Sequence, residues 1–110
     1  MKRKNKYNAI PTTIDGIRFA SKREAKHYSE LRLREKAGEL IDLNTQPKYQ
    51  FVVNGVKINS YTADFSYTET STGDFVVEDV KSPPTAKKID FRRNCKMMKA
   101  LYNIDVQVVL

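Results

Sequence analysis

The chain has 110 residues, 40% hydrophobic and 30% charged, and its 20 Lys and Arg against 13 Asp and Glu give a formal net charge of +7. This length supports one core and therefore one domain, and the basic excess, with a pI near 9.6, favours a polyanionic partner, nucleic acid first among them. A single cysteine, Cys95, and a single histidine, His27, exclude an internal disulfide and a Cys/His zinc cluster within one chain, and no apolar run approaches the roughly 20 residues that span a bilayer. Composition thus predicts a folded, cytosolic protein with no membrane partner.

Residues 1–13 are polar and basic, with Lys2, Arg3, Lys4 and Lys6, and Pro11 opposes an early helix; an extended basic arm is expected there, with a single domain over 14–110. From Ser21 the pattern turns helical. Ala25, Tyr28, Leu31 and Leu33 recur at three-to-four-residue spacings, and Gly38 stands where a helix would stop, which predicts a helix over 22–37. Tyr49, Phe51 and Val53 alternate with polar residues, Asn54-Gly55 is a hairpin turn pair, and Val56 resumes an extended run to Tyr67. After a turn at 71–74, FVVEDVK is a third strand, ended by Ser82-Pro83-Pro84. Ile89, Cys95, Met98, Leu101 and Tyr102 then predict a second amphipathic helix over about 85–102. Residues 105–110 read as a last strand, parallel to the third because a helix separates the two. The expected order is helix, three strands, helix, strand, an α/β domain with a mixed sheet flanked by helices.

The third strand poses the functional question, because VVEDVKS is valine-rich yet carries Glu78, Asp79 and Lys81. Alternation puts Asp79 and Lys81 on one face and Glu78 on the other, so Glu78 is expected to meet a basic residue or solvent. Asp64, in YTADFSY, lies on the preceding strand, where pairing can set its carboxylate beside that of Asp79. Two adjacent carboxylates repel unless a cation lies between them, and hard oxygen donors suit Mg²⁺, with Mn²⁺ able to substitute. A lysine beside such an ion can orient or help deprotonate a water, while the ion stabilises charge on a phosphate under attack.

Asp64 followed by Asp79-Val80-Lys81 resembles the D…(D/E)xK motif of the PD-(D/E)XK nuclease superfamily, with Ala63 where Pro often precedes the first acid. Phe19-Ala20-Ser21-Lys22-Arg23-Glu24 and Tyr61-Thr62-Ala63-Asp64-Phe65 are similar to the F-x-S-x-x-E and Y-T-x-D-F segments of small phage nucleases of the endonuclease I type, which resolve Holliday junctions, and of the transposon-end nuclease TnsA. The resemblance spans roughly residues 17–110. It implies the PD-(D/E)XK core, a metal held by Asp64 and Asp79 with the Val80 carbonyl as a further ligand, Lys81 acting on the water, and Glu24 reaching in to a metal-bound water or second metal. It also implies a phage or prophage enzyme working in the bacterial host cytoplasm, a homodimer cutting branched DNA, with Mg²⁺ and no organic cofactor. A nicking or double-strand endonuclease of phage packaging, host takeover or transposition is the enzymatic alternative, and a basic DNA-binding module the non-enzymatic one.

Each residue also has a plainer explanation. Ser21-x-x-Glu24 is a capping box, Asp79 and Lys81 could be an exposed ion pair worth little, and Gln46, ahead of the first strand, could shape a loop instead of approaching the scissile phosphate. His27 suits a partly exposed helical position, and Cys95 suits the core. Lys87, Lys88, Arg92, Arg93, Lys96 and Lys99 make the second helix strongly basic against Asp90 alone. Such a run is usually a solvated face; beside a phosphodiesterase site it suits a grip on the DNA backbone.

Overall fold

A computed structural model describes residues 10–110. Strands β1 (Thr12–Ile14) and β2 (Ile17–Phe19) form a short antiparallel hairpin with Ile14 opposite Ile17. Its turn pair Asp15-Gly16 takes positive φ at both residues, the twist that a two-residue hairpin requires. The folded domain therefore takes in Thr12 and Thr13, which pair with Phe19 and Arg18; residues 1–9 of the expected arm lie outside the described residues.

Helix α1 (Lys22–Lys36) matches the predicted span to within one residue. Ser21 caps it, its Oγ accepting from the Glu24 N–H at 3.2 Å. Ala25, Tyr28 and Leu31 form its buried face, but Leu33 is 67% exposed, so the apolar stripe ends at Leu31, two residues earlier than expected. Strand β3 (Leu40–Thr45) follows, and the sequence pattern does not predict it. Its alternation is broken at Asp42, where φ is positive and the register shifts between Ile41 and Asn44.

Strands β4 (Lys48–Val53) and β5 (Val56–Thr62) form the hairpin expected around Asn54-Gly55. The long second strand expected over Val56–Tyr67 is instead two strands. At Ala63-Asp64 the chain leaves β4 as partner and enters β6 (Phe65–Glu69), which lies between β3 and β7 (Phe75–Val80). After a one-turn helix α2 (Pro83–Ala86), helix α3 covers Ile89–Tyr102 and ends at Asn103 in the left-handed region. The predicted second helix is therefore broken at Lys87-Lys88. Strand β8 (Gln107–Val109) closes the chain, parallel to β7 as expected. The mixed sheet has the order β3-β6-β7-β8, and β4-β5 is a separate ribbon.

The two sheet faces carry two cores. On the α1 side Phe19, Ala25, Tyr28, Leu31, Leu40, Phe65, Tyr67 and Val80 cluster together. On the α3 side Phe51 and Tyr61 of the ribbon join Ala63, Val77, Phe91 and Met98, with Cys95 packed against them as expected. Strand β7 serves both, because its even positions face α1 and its odd positions face α3. Burying large aromatic side chains such as Phe65, worth about 3–5 kcal/mol each against truncation to Ala, fixes the register that any site on β7 depends on. No helix among the described residues is long and apolar enough to cross a membrane.

Candidate active site

The chain switches strands at Asp64, and the backbone there is held from both sides. The Asp64 N–H donates to the Glu78 carbonyl at 3.1 Å, and the Asp64 carbonyl accepts from the Gln46 N–H at 2.8 Å. Phe65 opposes Glu78 in the β6–β7 register, so one further step sets Asp64 opposite Asp79. The Asp64 side chain takes the Val80 N–H onto Oδ2 at 2.7 Å and lies within hydrogen-bond reach of the Asp79 carboxylate. Partly buried beside a second acid, Asp64 holds its proton far above the ordinary carboxylate range, to about 8. Desolvation is the largest cause, followed by the shared hydrogen bond with Asp79 and the charges of Asp79 and Glu24.

Asp79 is 1% exposed. Its Oδ2 accepts from the Tyr61 hydroxyl, and its Oδ1 lies 3.3 Å from Lys81 Nζ, an ion pair on the shared face that alternation predicts. The Lys81 ammonium sits over the Phe91 ring, 5.0 Å from its centroid. Glu24 enters from the first turn of α1. Its carboxyl is raised, chiefly by burial, while the Ala20 backbone N–H and the Lys81 charge pull it down and Asp79 pushes it up. Ser21 caps the helix, and the Glu24 carboxyl, which also meets the Ala20 backbone N–H, lies within the electrostatic reach of Asp79 and Lys81.

The acids that actually meet are a pair, Asp64 with Asp79. Among the described residues no three His, Cys, Asp or Glu side chains are gathered as a metal-binding group. The donor set still suits Mg²⁺, which keeps several waters and binds through one or two carboxylates plus substrate phosphate. The proton favoured on Asp64 takes the place of the positive charge that such a pair calls for. Val80 meets Asp64 through its N–H.

On the opposite face of β7, Glu78 is paired as expected with a basic residue. Its Oε1 lies 2.8 Å from His27 Nε2, and its Oε2 accepts from the Tyr67 hydroxyl at 2.9 Å. The Glu78 bond raises the His27 pKa against the opposing effect of burial. The Gln46 side chain donates to the Arg18 carbonyl at 3.2 Å, so this residue ties β2 to the loop that braces Asp64. Lys87 and Lys88 lie at the α2–α3 junction, and Arg92, Arg93 and Lys96 lie exposed on α3, whereas Lys99 pairs with Asp105 at 3.1 Å. Tyr61, in YTADF, has no role predictable from its local pattern, because its partner Asp79 is 18 residues away and in a different sheet.

A mixed sheet flanked by helices makes this a mixed α/β domain. The chain belongs to the family described as Protein of unknown function (DUF1064), whose model matches residues 4–109. No curated protein matches the chain, and no solved structure does.

Proposed function

We propose that this protein is a metal-dependent DNA endonuclease with a PD-(D/E)XK core, acting on branched DNA such as Holliday junctions. The observation that carries this reading is the meeting of the partly buried Asp64 with the buried Asp79 carboxylate, with Lys81 Nζ 3.3 Å from Asp79. Removing acids from water beside each other is costly. Asp64 and Asp79 would hold Mg²⁺, with Mn²⁺ able to replace it and the Val80 carbonyl as a further ligand. The ion supplies Lewis-acid stabilisation of the charge that develops on the phosphate.

The remaining work falls to the chain. Lys81, held between Asp79 and the Phe91 ring, orients the attacking water through its ammonium group. Glu24, whose carboxyl pKa is raised by burial, takes that water's proton in its ionised form and gives it to the leaving oxygen. The exposed Arg92, Arg93 and Lys96, with Lys87 and Lys88, grip the backbone without reading sequence. The preference for branched DNA and the homodimer that two incisions require rest on the likeness of F-x-S-x-x-E, Y-T-x-D-F and D-x-K to the junction-resolving nucleases.

The test is cleavage of four-way junction, flap, nicked and linear DNA with Mg²⁺. Asp79→Ala and Lys81→Ala should each lower the rate about a thousandfold or more. Full cleavage by both variants would refute the site, and a linear-duplex preference would refute the junction assignment. Binding without cleavage of any substrate would leave a DNA-binding module.

A further inference from the structure

Beside Lys81, on the α3 side of the acid pair, a cavity of about 320 Å³ lies between β5 and the α2–α3 corner. Tyr61 and Phe91, both almost fully buried, line its inner end. These are the residues that hold Asp79 and support Lys81, so the cavity is continuous with the candidate catalytic groups. Its outer wall is polar, with Thr62 on β5 and Lys88 and Asn94 across from it. Among the described residues no hydrogen bond engages the Thr62 hydroxyl or the Asn94 side-chain amide. Asp90, also on the rim, disfavours a phosphate at its end and leaves Lys81 and Lys88 as the phosphate side.

We propose that this cavity seats one deoxynucleotide flanking the scissile phosphate, an inference that rests on the nuclease reading. Its volume is at the small end for ligand sites and suits a single nucleotide. The hydroxyl of Thr62 and the amide of Asn94 supply a donor and an acceptor to the sugar or base edge, while Lys81 and Lys88 face the phosphate. A strand whose phosphate lies against Lys81 has this cavity as its next polar space on the α3 side.

Deoxythymidine 5′-monophosphate is the probe, titrated into the full chain and followed through backbone and Asn amide NMR signals. Thr62 and Asn94 should shift. Asn94→Asp should weaken nucleotide binding about tenfold, the scale of one lost polar contact made repulsive, and raise KM for DNA by a similar factor with kcat held within about threefold. Thr62→Val, which keeps a β-branched residue on the strand, should weaken binding in the same direction. Shifts confined to other residues, or unchanged affinity in both variants, would overturn the inference even if the wild type cleaves DNA. Nucleotide binding here without cleavage of any DNA would support the subsite and overturn the nuclease reading instead.

Discussion

Glu78 and Asp79 are consecutive buried acids on one strand, and the fold treats them oppositely. Glu78, facing α1, has a hydrogen-bonded histidine and a tyrosine hydroxyl, so its charge is answered within the protein. Asp79, facing α3, has Tyr61 and Lys81 but is also set against Asp64. Glu78 is answered by a histidine and a hydroxyl, whereas Asp79 has its lysine and hydroxyl and a neighbouring carboxyl besides, and this difference, more than burial, separates the two sides of β7.

The sharpest way to widen the comparison is through the groups that hold each acid. Tyr61→Phe removes the hydroxyl on Asp79 while keeping the ring in the Phe51 and Phe91 cluster. It should raise the Mg²⁺ concentration needed for half-maximal cleavage about 10–100-fold, weaken Mn²⁺ binding measured by calorimetry in step, and cost about 1–3 kcal/mol of stability because the buried Asp79 carboxylate loses a donor. An unchanged metal dependence would mean that Tyr61 only packs. On the other face, Glu78→Ala leaves the His27 and Tyr67 polar groups without their partner and should cost about 2 kcal/mol in urea unfolding.

The smallest expected effect concerns pH. The folded-state pKa of Asp64 lies above its unfolded value, so folding favours the protonated form. Its contribution to stability is full below the ordinary aspartate value of 3.8 and is lost as pH rises towards about 8. Asp64→Asn, which cannot ionise, should therefore gain on the wild type as pH rises across that window, by about 1 kcal/mol or more at pH 8 without metal. Equal pH dependence of the two unfolding curves would show that Asp64 carries no raised pKa.

Much of this was legible in the residues, and the failures share a cause. The 3.6-residue period of Ala25, Tyr28 and Leu31, the Asn54-Gly55 turn and the valine run of β7 report local structure, and each lies where its pattern points. The opposed faces of Glu78 and Asp79 follow from alternation alone. Strand β3 was not legible, because a positive φ at Asp42 breaks the alternation and its pairing with β6 is made across the whole β4–β5 hairpin. The split between β5 and β6 is likewise a tertiary event. Residues 56–67 read as one extended run apart from Asn59, Ala63 and Asp64, and competition between the ribbon and the main sheet decides where the chain changes partners. That switch positions Asp64, so the acid was readable as a candidate but its setting was not. Tyr61 and the His27–Glu78 pair depend on contacts 18 and 51 residues apart, beyond any local pattern.

The central claim is that Asp79, not Glu78, belongs to a metal-dependent cleavage centre. Mg²⁺-dependent cleavage of a synthetic four-way junction by Asp79→Asn and Glu78→Gln, measured side by side at equal folded concentration, tests it most directly. Near-complete loss is expected in the first and a rate within about tenfold of wild type in the second; retained cleavage in Asp79→Asn, or loss confined to Glu78→Gln, would refute the assignment of Asp79.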